Sequence, residues 1–147
     1  MSYPEKLQDL VDTLGMVDRG ERIQLLIDIA ERFQEVPPAV AERPFGDDRK
    51  VPACESEAYV WAGRDDDGKA KFYFAVENPQ GISAKAMATI LDETLSGQDP
   101  ADLAGVTGDL VYEIFGRELS MGKSMGLMGM VSMVTLSAKA MASEDSA

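Results

Sequence analysis

The chain carries one cysteine, Cys54, and no histidine. The cysteine stands in "RKVPACESEAYVWAG", residues 49–63, after a proline and a charged stretch and ahead of an alternating apolar run. A lone thiol can serve as a nucleophile, because its thiolate form attacks carbon and sulfur electrophiles. With no imidazole, a Cys–His or Ser–His pair inside the chain is excluded, and so are the usual His and Cys zinc sites. An iron–sulfur cluster asks for about four thiolates, and this chain offers one. The best carboxylate stretch, "RDDDGK" at 64–69, reads as a hairpin turn and lacks EF-hand spacing. No metal site is expected.

The neighbours of Cys54 pull in two directions. Arg49 and Lys50 bring positive charge to the thiol, while Glu55 and Glu57 bring negative charge. Pro52 and the charged stretch before it place Cys54 at a loop-to-strand junction rather than inside an element. A lone cysteine is most often a small buried hydrophobe. The residue types alone leave both roles open, packing and chemistry.

The elements that would position this thiol follow from periodicity. Leu7, Leu10, Val11 and Leu14 repeat at helical spacing up to Gly15. Asp18 with Glu21 forms a capping box. It opens a helix whose expected buried stripe is Ile23, Leu26, Ile27, Ala30 and Phe33. Residues 35–50 hold three prolines and many charges and read as an irregular crossing loop. "AYVWAG" and "AKFYFAVE" flank Asp67-Gly68 and predict a β-hairpin. Ser83 is the expected cap of a helix bearing Ala86, Met87, Ile90, Leu91 and Leu95. Asp99 and Pro100 open a short helix. "DLVYEIFG" reads as a short helix or turn. A last helix runs from near Ser120 to about Ala142, and its Met121, Met125, Met128, Met130, Met133 and Met141 read first as core packing. Gly122, Gly126 and Gly129 are spaced for close helix contact. The predicted class is α+β: a small antiparallel, hairpin-based sheet packed against and flanked by α-helices.

Composition bounds the partners. The 147 residues suit one domain, 1–147, with a frayed tail at about 143–147. The net charge of −12 opposes binding to nucleic acid or to an anionic membrane surface. No signal peptide is expected, nor a run of the ~20 apolar residues that spans a bilayer. A single cysteine fits a reducing cytoplasm.

With these residues in view, "VPACESEAYVWA" resembles the cysteine loop of the SufE family, sulfur acceptors of iron–sulfur cluster assembly. That family commonly shows Val-x-Gly-Cys-x-Ser before an apolar strand. "ERIQLLIDIAERFQEVP" is similar to the family helix and Pro-bearing loop that precede the cysteine. "ELSMGKSMGLMGMV" is similar to its Leu-Ser-Pro-x-Arg-x-x-Gly-Leu helix start, with Leu119, Ser120, Gly126 and Leu127 matching. The departures are Ala53 for the glycine, Lys123 for the arginine, Met121 for the proline, and Glu118 where relatives often carry histidine. If position 53 needs a positive φ, Ala53 meets it at a steric cost.

The resemblance implies a fold of the SufE and IscU kind. It also implies that Cys54 takes sulfane sulfur from a cysteine desulfurase (SufS-like) and stimulates it, then passes the sulfur to an iron–sulfur scaffold (SufBCD-like). The chain would act as an accessory sulfur-transfer protein with no resident cofactor; pyridoxal phosphate would belong to the desulfurase. The partner surface would include Lys50, Ala53, Ser56 and Lys123. Val51 and Ala53 are expected to tuck the loop over the last helix, onto Met125 and Met128, and so shield Cys54. Two alternatives are an adaptor that only binds a desulfurase and a single-cysteine thiol redox protein.

Overall fold

A computed structural model describes residues 3–117 and 119–146. Among these residues it contains five α-helices and one two-stranded antiparallel sheet. In order they are α1 (Glu5–Met16), α2 (Arg19–Glu31), β1 (Ala58–Arg64), β2 (Ala70–Val76), α3 (Ile82–Leu95), α4 (Asp109–Phe115) and α5 (Met121–Asp145), with short 3-10 turns at Asp47–Arg49 and Pro100–Leu103. The class is α+β, as the sequence implies.

The hairpin organises the core. Ala58 pairs with Val76, Val60 with Phe74 and Ala62 with Phe72. These residues share one face, because side chains alternate along a strand. Phe72 is fully buried there and Val60 and Phe74 nearly so. Each such side chain contributes about 1.5–3 kcal/mol of apolar burial. The outer face carries Tyr59 and Trp61, covered by Phe45 of the crossing segment at centroid distances of 5.2 and 4.9 Å. Arg43 fastens that segment. It donates to Glu77 at 2.6 Å, pairs with Glu35, and stacks over Phe45. The outer edge of β2 is also occupied: Phe74 O accepts from Val36 N at 2.8 Å, and Phe72 N donates to Ser96 Oγ at 3.1 Å. A two-stranded ribbon needs such cover to persist in water.

One expected cap is present and another is displaced. Asp18 accepts from Glu21 N at 2.8 Å, and Ser120 Oγ accepts from Lys123 N at 3.2 Å. Ser83 is not the cap of α3. That helix begins two residues earlier than a Ser83 cap implies, at Ile82, with Gly81 in the cap position. The packing reason is direct: a Cβ on Gly81 would lie 2.9 Å from Val76 Cγ1 and from Ser56 Oγ. "DLVYEIFG" resolves as α4, ended by Gly116 at φ 75°.

The face of α2 also differs from the expected stripe. Leu26, Ile29 and Ala30 are buried, Ile27 and Phe33 are half-buried, and Ile23 is 48% exposed. α2 rests mainly on α3, so its buried face is narrower than the run of apolar residues. α5 departs in length and character. It continues to Asp145, where Arg64 pairs with Asp145 at 3.0 Å and donates to Met141 O at 3.1 Å. The segment expected to fray is thus helical through Asp145. By length and composition α5 could cross a bilayer, which the sequence reading did not anticipate. Its apolarity has another use here, since Leu127, Met130, Val131, Val134 and Ala138 are all buried in the core.

Candidate functional site

Residues 51–58 form a tight loop with Cys54 near its tip. Its base is closed by Val51 N donating to Ala58 O at 2.8 Å. Cys54 O accepts from Glu57 N at 3.1 Å, which turns the chain back into β1. Ser56 O and Glu57 O accept from Asn78 N and Glu77 N, both at 3.1 Å, so the return limb is tied to the end of β2. Ala53 sits at φ 57° and Glu57 at φ 51°. Both are in the left-handed region, where a Cβ is disfavoured. The residue before the cysteine therefore does require positive φ, and alanine meets that requirement at a steric cost that glycine avoids.

The last helix holds this loop through its glycines. A Cβ on Gly126 would lie 3.0 Å from Cys54 Cα and 3.4 Å from Ala53 O. One on Gly129 would meet Val51 Cγ1 at 3.0 Å, and one on Gly122 would meet Glu55 Oε1 at 3.0 Å. The stripe at 122, 126 and 129 is the seat of the cysteine loop. The sequence showed its spacing but not its partner. The methionines are not the seat: Met125 is 54% exposed, and Met128 packs beside Gly108. Val51 tucks inward and is buried, while Ala53 is exposed. A backbone can lie this close only where the helix has no side chain, which is why glycines and not compliant methionines receive it.

Cys54 is half-buried and packs against the core. A recess of about 330 Å³ opens on one side of it, lined by Ser56, Ile82, Ser83, Gly122 and Lys123 among others. A shallower recess on the other side is bordered by Asp47, Lys50 and Ala53. The structure therefore brings all five sequence-predicted residues to one locality: Cys54, Ser56 and Lys123 on one side, Lys50 and Ala53 on the other. Arg49 lines neither recess and lies beside Asp48 at 3.6 Å. Glu118 is outside the described residues.

The first turns of α3 and α5 both border the recess on the Lys123 side. Helix N-termini carry partial positive charge, and Lys123 adds a full one. Glu55 supplies the opposing charge from the loop itself. The arrangement is one accessible sulfur in a small, polar-rimmed, partly apolar recess, suited to an anionic sulfur species.

A family model described as "SufE: Fe-S metabolism associated domain" matches residues 8–138. The chain belongs to the SufE family. Two uncharacterized SufE-like proteins of Mycobacterium tuberculosis, from strains CDC 1551 and H37Rv, are each 24% identical over 113 residues, covering 77% of this chain and 76% of theirs. The solution structure of a hypothetical protein from Thermus thermophilus superposes with a TM-score of 0.76 at 23% identity, covering 97% of this chain and 99% of that one. That likeness establishes a shared fold. Membership of the SufE family places the protein in iron–sulfur metabolism.

Proposed function

We propose that this SufE protein is a persulfide-carrying sulfur acceptor working with a cysteine desulfurase. One observation carries the proposal: the only thiol of the chain stands at a strained loop tip, half-shielded, in a recess bordered by two helix starts and Lys123. A carrier needs one nucleophilic sulfur and a place for the sulfur it receives. It does not need an internal base.

The step balances without an added oxidant or reductant. The Cys54 thiolate attacks the outer sulfur of a donor persulfide, R–S–SH. A new S–S bond forms on Cys54, the donor S–S bond breaks, and the donor leaves as the thiolate R–S⁻. The product is Cys54–S–SH, and the logic is that of thiol–disulfide exchange. A second cysteine would resolve this species to an internal disulfide and lose the sulfur. Onward transfer to an iron–sulfur scaffold of SufBCD type, in a reducing cytoplasm, completes the proposed role. Pyridoxal phosphate stays with the desulfurase, and this chain holds no cofactor of its own.

The test is mass spectrometry after incubation with a desulfurase and cysteine. A sulfur adduct on Cys54 is expected, and Cys54→Ser should fold normally, accept no sulfur and leave desulfurase turnover unstimulated. Full stimulation by Cys54→Ser would replace the carrier with an adaptor.

A further inference from the structure

A second recess lies beside the thiol site. α2, the start of α3 and the end of α4 enclose a groove of about 440 Å³. Its walls include Ile23 and Ile82, which are 48% and 50% exposed, and the half-buried Phe115 and Leu119. Contiguous apolar surface of this kind in a folded domain marks a contact site more often than scattered single residues do.

The charge around the groove is opposite to that of the chain. The protein has 26 Asp and Glu against 14 Lys and Arg. Yet Arg22 and Arg117 line the groove, and no carboxylate does so among the described residues. Arg22 is positioned by donating to Leu14 O at 3.1 Å, and Arg117 lies over the Tyr112 ring at 4.8 Å. Neither contact neutralises the guanidinium. An apolar slot with a cationic rim is complementary to an amphipathic segment that carries carboxylates beside branched or aromatic side chains.

The groove is continuous with the thiol recess, because Ile82 and Ser83 line both. We infer that this groove seats a carboxylate-bearing, amphipathic segment of the sulfur-donating desulfurase, holding the donor in register while Cys54 is engaged next door. The inference rests on the sulfur-acceptor proposal. Cys54 is half-buried before it carries sulfur, so the donor must first bind beside the loop, and the groove is the adjoining foothold.

The test is the rate of sulfur loading onto Cys54 as a function of holo-desulfurase concentration. Ile23→Glu and Arg117→Glu are suitable variants, since both side chains are exposed and thermal unfolding can verify the fold. Each should raise the half-saturating desulfurase concentration about tenfold, with loading at saturation near wild type. Lys139→Glu makes the same charge change as Arg117→Glu on an exposed face of α5 and should stay within about twofold, which separates a local rim from overall charge. Added salt should weaken the wild type more than Arg117→Glu. Half-saturation within twofold of wild type for both groove variants overturns the inference, and so does an equal shift from Lys139→Glu. Normal loading combined with slow onward transfer to a scaffold would assign the groove to the recipient and overturn it as well. A wild-type protein that never loads sulfur removes the acceptor proposal and this inference with it. Loading that is indifferent to the groove removes the inference alone.

Discussion

Two short acidic connections enter and leave β1, and they are built on opposite principles. The turn at residues 65–69 satisfies itself. Asp65 Oδ1 accepts from Asp67 N and Lys69 N, both at 2.9 Å, Asp65 O accepts from Gly68 N at 2.9 Å, and a glycine occupies the positive φ of 78°. Nothing would crowd a Cβ on Gly68, so only the turn's own backbone decides its shape. The cysteine loop at residues 51–58 places Ala53 and Glu57 at positive φ, and non-glycine residues there cost about 1 kcal/mol or more each. It keeps that shape because α5 and the end of β2 hold it. A turn that serves only connectivity uses local chemistry. The loop that carries Cys54 takes its conformation from distant elements, and so its release can be controlled by them.

The contrast breaks most severely at Gly126. Gly126→Val should force the Cys54 backbone off α5, since even a Cβ would lie 3.0 Å from Cys54 Cα. Overpacking against backbone of this kind costs about 1–3 kcal/mol. The denaturant midpoint should fall, and alkylation of Cys54 should approach its rate in the unfolded chain. Unchanged alkylation would mean that the glycine seat does not hold the loop.

A smaller, two-signed effect is expected at the positive-φ positions. Gly68→Ala should destabilise by about 1 kcal/mol without altering Cys54 reactivity, and Ala53→Gly should stabilise by about 0.5–1 kcal/mol. Both are read from urea unfolding. Two changes of the same sign would show that the two connections are not opposites in strain.

The smallest effect concerns two surface ion pairs, one on the crossing segment and one joining the ends of α2 and α3. The Arg43 guanidinium holds the Glu35 carboxyl below the ordinary carboxylate range, and Arg32 does the same for Glu93. A carboxylate with a lowered folded-state pKa contributes stability that is fully present above its unfolded pKa. That contribution is lost as pH falls through the folded value. Stability should therefore decline from about pH 5 downward, and Arg43→Gln should flatten that decline. All four side chains are well exposed, so the effect is slight and added salt should shrink it. Urea midpoints across the acid range measure it. A profile unchanged by Arg43→Gln would show that the Arg43 pair contributes nothing measurable.

Much of this molecule was legible from residue order alone. The hairpin, the Asp18 cap and the identity of the one thiol rest on local chemistry: strand alternation, a side-chain oxygen three residues from an orphan amide, and a count of cysteines. The sequence put forward Cys54, Lys50, Ala53, Ser56 and Lys123 as candidates, which lie in one locality around the thiol, and a steric cost at Ala53 follows from its place in the cysteine motif once the φ there is positive. The tertiary structure decided the rest. It showed that Gly122, Gly126 and Gly129 receive the loop in place of Met125 and Met128, because a missing side chain carries no pattern that names its neighbour. It left Ile23 exposed within an apolar run, because the buried width of α2 depends on how it rests on α3. It moved the cap of α3 from Ser83 to Gly81, because Val76 and Ser56 leave no room for a Cβ. Sequence periodicity fixes which residues can be buried, whereas only the approach of other elements fixes which of them are and what the uncovered ones face.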